Sequence, residues 1–227
     1  MQLFSTLDLV ALACFLGAWL VYALVIEKSA NSQRSLNTLM NPYRYHWMEQ
    51  MLARDPRIID TQIVASLQNG NAFFASTSLI AVGGSLTLLH STDQMLDVLG
   101  ALPFGARSTP AQWQAKAMGV AIIFVYAFFK FSWSYRLFNY VAIMIGATPP
   151  VEQKDTAEAK AHVERVSRLS EVAGLHFNRG QRAFFFALGY LGWFIGPWVL
   201  IGATAAVMLV MVRRQFWSDS RRAVTGT

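Results

Sequence analysis

Residues 113–148, WQAKAMGVAIIFVYAFFKFSWSYRLFNYVAIMIGAT, constrain this chain more than any other stretch. They read as a membrane-spanning helix that carries Lys130 among phenylalanines and then Ser132, Ser134, Arg136 and Asn139 before it ends. At the rise of an α-helix, Lys130 falls beyond the middle of a ~30 Å hydrocarbon core. A lysine at the centre of a spanning helix is unfavourable by about 3 kcal/mol, so the residue is expected to snorkel, to face other helices or to line a wet cavity. The rest of the chain is read as what surrounds this helix.

The composition agrees with a bilayer protein. Of 227 residues, 54% are hydrophobic and 14% charged, against a charged share of about 25% in soluble domains. The net charge of +6 does not point to nucleic acid, because the basic residues gather at the ends of apolar runs instead of forming a stripe with interleaved aromatics. The single cysteine, Cys14, lies inside the first apolar run, which excludes an internal disulfide and a thiolate metal site. The N-terminal MQLFSTLDLVALACFLG lacks the positive n-region of a secretory signal and is read as a retained anchor.

The pattern predicts an all-α polytopic membrane protein in one domain, with four transmembrane helices, long cytoplasmic helical stems and an interfacial amphipathic helix. Spans are expected at about 7–26, 70–89, 116–145 and 183–212, with large loops at 27–69 and 146–182 and a short outer connector at 90–115. In the first loop, Leu36, Leu39, Met40, Tyr43, Trp47 and Met51 recur at helical spacing among arginines. That segment either lies at the headgroups, with Tyr43 and Trp47 as interfacial anchors, or packs on the protein's own stems. Asp55-Pro56 is a helix start, since the carboxylate can cap and proline at the first helical position loses no needed N–H. From there the helical pattern runs on to Leu89, longer than a bilayer is thick, so residues 56–68 should project as a stem with Ile59, Ile63 and Leu67 on one face. Ser76, Thr77, Ser78, Gly83 and Gly84 are small residues suited to close helix packing, and Gly196 and Pro197 to a kink. Residues 151–178 read as a surface helix with Glu164, Arg168 and Glu171 at pairing distance and Val166, Leu169 and Ala173 as its apolar stripe.

The two large loops hold about ten Lys and Arg, which places them in the cytoplasm and both termini outside. Arg213, Arg214, Arg221 and Arg222 resist that assignment; a break at Gly196-Pro197 that returns the tail inside is the competing account. LQNGNAFFAST and FNRGQRAFFFALG, with Gly70 and Gly180 in corresponding places, suggest two helical hairpins repeated about an axis along the membrane normal.

None of the common nucleotide-binding, metalloprotease or hydrolase motifs occurs, and the four histidines are scattered, so no enzyme activity, cofactor or metal is expected. The constellation that bears on function is Lys130, Ser134, Arg136 and Asn139. Lys130 and Ser134 share one helix face, with Arg136 and Asn139 on another. A Lys and an Arg on a pore-side face would attract anions; the plainer reading has Lys130 snorkelling and Arg136 at the headgroups.

NPYRYHWMEQMLARDPRIID, AFFASTSLIAVGG, SYRLFNYVAIMIGATP and NRGQRAFFFALGYLGWFIGPW together resemble a bacterial membrane family, also found in plants, catalogued as domain of unknown function 599. The resemblance implies a four-span integral membrane protein and supplies no activity or site. Two functional readings follow. One is an oligomeric inner-membrane channel or transporter with a bias to anions. The other is a non-transporting accessory or scaffold protein. The partners expected are the lipid bilayer, further copies of the chain and a membrane-protein partner.

Overall fold

The computed structural model describes residues 3–27, 34–95 and 108–226, and among these there are helices and turns but no strand. Most of the predicted outer connector, with Asp97, Pro103, Gly105 and Arg107, lies outside the described residues, as does Lys28. The helices are α1 (Thr6–Glu27), α2 (Leu36–Leu39), α3 (Asn41–Leu52), α4 (Ile58–His90), α5 (Pro110–Gly146), α6 (Ala157–Tyr190), α7 (Pro197–Phe216) and α8 (Asp219–Thr225), with 3-10 turns at Val151–Gln153 and Leu191–Phe194. Four stretches are long and apolar enough to cross a membrane: Thr6–Val25, Ile58–His90, Pro110–Gly146 and Pro197–Thr225.

The first three expected spans fall inside α1, α4 and α5. The fourth does not form as one helix. Residues 183–190 complete α6, which runs unbroken from the charged stretch the sequence assigned to a surface helix. The chain then tightens into the 3-10 turn and passes through Gly196, and α7 starts with Pro197 in its first turn, where the missing N–H costs nothing. Helix α4 also starts two residues past Pro56, at Ile58.

The chain forms two compact units. The first comprises Met1–Leu36, Ser78–Tyr126 and Arg182–Thr227, the second Asn37–Thr77 and Ala127–Gln181.

In the first unit, helix directions follow from named contacts. Gln112 at the start of α5 donates to the Leu3 carbonyl (2.7 Å), and Tyr126 meets Trp19 edge to face with centroids 6.0 Å apart, so α5 runs parallel to α1. The end of α6 runs against α1: Arg182 pairs with Glu27 at 3.0 Å and Trp193 reaches Asp8 at 2.8 Å. Helix α7 then returns parallel to α1, with Gln215 bonded to Tyr22 and the Arg214 guanidinium 5.8 Å from the Phe185 ring centroid. The basic end of α7 therefore stands beside the C-terminal end of α1. Within this unit that is the packing which the returning-tail account calls for. Rings of Phe15, Trp19, Phe186, Tyr190 and Trp193 interlock through the middle of this unit. Leu16, Leu20, Ile80, Ile122 and Leu209 face outward, as a surface in contact with acyl chains requires.

The second unit has a conventional apolar core. Met48, Met51 and Leu52 of α3, Val64 of α4, Leu137, Phe138, Val141 and Ile145 of α5, and Ala159, Val163, Val166 and Ala173 of α6 are buried together. Val166 and Ala173 are the predicted stripe of α6, and Leu169 packs against the same core. Helix α3 packs on the protein's own stems through Met48, Met51 and Leu52.

The large apolar residues on one face of the α4 stem are not its buried positions. Ile59, Ile63 and Leu67 are exposed, and the buried positions are Asp60, Val64, Asn71 and Ala75. Nor does the proposed repeat hold at its glycines. A Cβ on Gly70 would meet nothing within 4 Å, whereas one on Gly180 would lie 2.7 Å from the Phe131 ring. That ring stacks on Phe74 (5.2 Å) and meets Phe177 edge-on (5.6 Å), so glycine at 180 is the space an aromatic cluster needs.

Candidate functional site

The four residues singled out on α5 do not converge. Ser134 is fully buried and donates to the Ala173 carbonyl of α6 at 2.8 Å. Asn139 accepts from Gln68 of α4 at 2.5 Å. Arg136 is exposed and lies back along its own helix, with Nε 2.8 Å from the Tyr140 hydroxyl and the guanidinium 5.7 Å from that ring's centroid. Lys130 is half-buried. Ser134 thus serves helix packing, Asn139 bridges two stems, and Arg136 covers an aromatic surface.

The most deeply buried charge in the second unit is Asp60, in the first turn of α4. Its Oδ1 accepts from Trp47 Nε1 at 2.8 Å and from Arg54 Nη1 at 2.7 Å, while Oδ2 is buried with no hydrogen-bond partner. The N-terminal position on a helix favours a carboxylate there. One turn away, Arg57 donates to the carbonyls of Thr148 (3.3 Å) and Pro149 (2.7 Å), which closes the C-terminal end of α5. Thr148 in turn bonds His162 Nε2 at 3.2 Å. Asp60, Arg54, Arg57 and Thr148 are a staple joining α3, α4, α5 and α6. Trp47, half-buried, faces into it through its indole N–H, and Tyr43 is exposed.

Among the described residues of the first unit, the buried charges sit at either end of α1. At one end Lys116, 4% exposed, donates to the Trp193 carbonyl at 2.9 Å, with its ammonium 5.5 Å from that residue's ring centroid. Trp193 Nε1 donates to Asp8, whose other oxygen is held by Ser5. Lysine at this place meets the carbonyls exposed as α6 ends, where a cation is favoured. At the other end Arg182 and Glu27 form a pair in which both partners are largely buried.

A family model described as "Protein of unknown function, DUF599" matches residues 10–220. The chain belongs to this family. No curated protein and no solved structure matches it. Membership of DUF599 agrees with the four apolar helices and assigns no chemistry to any of the residues above.

The packing residues expected in this DUF599 chain are placed as follows. Ser78 is buried, Ser76 is exposed, and Thr77 bonds the Phe73 carbonyl of its own helix. Gly83 and Gly84 are exposed, with nothing within 4 Å of a Cβ. Gly196 is buried at the break before α7, and Pro197 opens that helix. Close approach is made instead at Gly119 under Tyr190, Gly174 under Arg44, Gly180 under Phe131 and Gly192 against the Val199 backbone.

Lys116, Asp8, Arg44 and Gly174 belong to no motif by which the sequence alone singles them out. A signal for the α4 staple was present in the period of Asp60, Val64, Asn71, Ala75 and Ser78. Those residues are polar or small, while the large apolar residues take the other face.

Arg44 lies across α6 at Gly174, with Nη1 held by Asn41 Oδ1 at 2.8 Å. Burial holds its guanidinium below the ordinary arginine value, and the Glu171 carboxylate works in the opposite direction.

Proposed function

We propose that this protein is a non-enzymatic, self-associating scaffold of the bacterial inner membrane, and that it does not conduct ions. The reading is carried by the outward apolar rows of the second unit. On α4 the row is Ile59, Ile63 and Leu67; on α5 it is Phe129, Trp133, Tyr140 and Ile143, of which Phe129 and Ile143 are 65% and 66% exposed. They belong to a unit whose α6 turns Glu164, Arg165 and Arg168 to the surface. Apolar rows beside such a charged face are suited to another protein surface, and further copies of this chain are the occupant proposed. Against a conduction path, Ser134, Arg136 and Asn139 each spend their polar atoms on a different neighbour.

The same reading places residue 3 outside, and the Glu27 end of α1 with the basic end of α7 inside. Arg213, Arg214, Arg221 and Arg222 then join the other cytoplasmic cations, in keeping with the positive-inside rule.

The test combines two measurements on one purified sample in liposomes: oligomer size, and anion and cation flux. Wild type is expected as an oligomer without flux above protein-free liposomes, and Ile63→Lys with Ile143→Lys as a monomer of unchanged helicity. A monomeric wild type would remove self-association. Selective flux altered by Lys130→Met would restore the anion-path reading.

A further inference from the structure

Between the α2–α3 segment and α6, the second unit holds a cavity of about 190 Å³ lined by residues that include Asn41, Arg44, Glu171, Val172, Leu175 and Asn178. It is smaller than the roughly 300–1,000 Å³ of sites that enclose whole drug-sized ligands, so it suits a small polar head. Its two charges are opposite in sign and come from different helices. The Arg44 fork is oriented by its bond to Asn41 Oδ1 and by the flat seat that Gly174 provides. Such a fork recognises phosphate oxygens. Glu171, whose carboxylate acts on the Arg44 guanidinium, accepts hydrogen bonds and can take a donor ammonium from a head whose phosphate engages Arg44. Asn178 adds amide donors and an acceptor. Val172 and Leu175 bring apolar surface to the same cavity, and they are 40% and 37% exposed.

We infer that this cavity binds the phosphoethanolamine headgroup of a membrane lipid, its phosphate on Arg44 and its primary ammonium on Glu171, with the start of the acyl region over Val172 and Leu175. A purely anionic head would leave Glu171 facing like charge. A quaternary ammonium could not donate to it. The lipid is preferred to a free small molecule because the exposed apolar side chains at the cavity would have no contact in a soluble headgroup complex. The site stands independently of self-association through α4 and α5.

The experiment is native mass spectrometry of the full-length protein in detergent, offered equal amounts of phosphatidylethanolamine, phosphatidylcholine and phosphatidylglycerol with identical acyl chains. Wild type is expected to retain phosphatidylethanolamine about fivefold over either competitor, the scale of one charge-assisted contact at a partly exposed site. Glu171→Gln should bring the ratio over phosphatidylcholine close to one. Arg44→Gln should lower retention of all three lipids, and Arg44→Lys, which keeps the charge and the fold, should recover only part of it. Equal retention of the three by wild type, a preference for phosphatidylglycerol, or a ratio untouched by Glu171→Gln would overturn the assignment. Displacement of the lipid by an equal concentration of glycerophosphoethanolamine would overturn the choice of a lipid over a soluble molecule.

Discussion

Glycine roles in this chain separate according to what a methyl group would touch. At Gly180 it would run into Phe131, held between Phe74 and Phe177; at Gly83 it would meet open space. Gly180→Ala is therefore expected to destabilise the second unit by about 1–3 kcal/mol, the cost of overpacking a filled core. Gly83→Ala should leave stability within about 1 kcal/mol of wild type, since it only improves helix propensity on an exposed face. Thermal unfolding in detergent distinguishes the two, and an equal response at both positions would contradict the packing described. In the sequence Gly83 and Gly84 stand out as small residues suited to helix packing, and Gly180 only as the counterpart of Gly70. What decides the matter is the aromatic ring brought over the glycine from another helix, and a linear pattern does not contain it.

At the scale of the element, periodicity places α1, α4 and α5 and groups Ile59, Ile63 and Leu67 on one face of α4, but it does not say which face is inward. The usual rule puts large apolar residues inside, yet α4 buries Asp60, Asn71 and Ala75 and turns Ile59, Ile63 and Leu67 out. When the surroundings of a helix are apolar too, hydrophobicity ceases to distinguish its faces, and small and hydrogen-bonding residues mark the interior instead. Helix α6 was split in reading because its charged and apolar halves look like different structures, although its backbone is continuous. Its end is fixed by Lys116. Replacing that residue by Met would leave the Trp193 carbonyl buried without its donor, at a cost of about 1–3 kcal/mol. The expected result is a lowered unfolding temperature together with increased proteolysis at residues 191–196. Unchanged cleavage there would mean that the turn holds without the ammonium.

For the molecule as a whole, family membership and helical class were legible in the sequence, whereas the course of the last third was not. Four arginines after the final expected span conflict with four simple crossings, and the chain departs from that plan at residues 191–196, where α6 gives way to α7. The proposed topology predicts opposite labelling of the two ends. With Cys14 replaced by Ser, a cysteine at Ser5 should react with a membrane-impermeant maleimide in intact cells, and one at Ser220 only after the membrane is opened. Reaction of both in intact cells would return the tail to the outside.

That turn also bears on how the chain enters the bilayer. The apolar end of α6 together with the turn after it, residues 183–195, extends at most ~20 Å even at helical rise, well short of a ~30 Å core. Taken alone it is too short to be retained as a span, and it finds its place against α1 together with α7. The helix that follows thus settles the fate of the one before it: the apolar end of α6 is held only as a pair with α7.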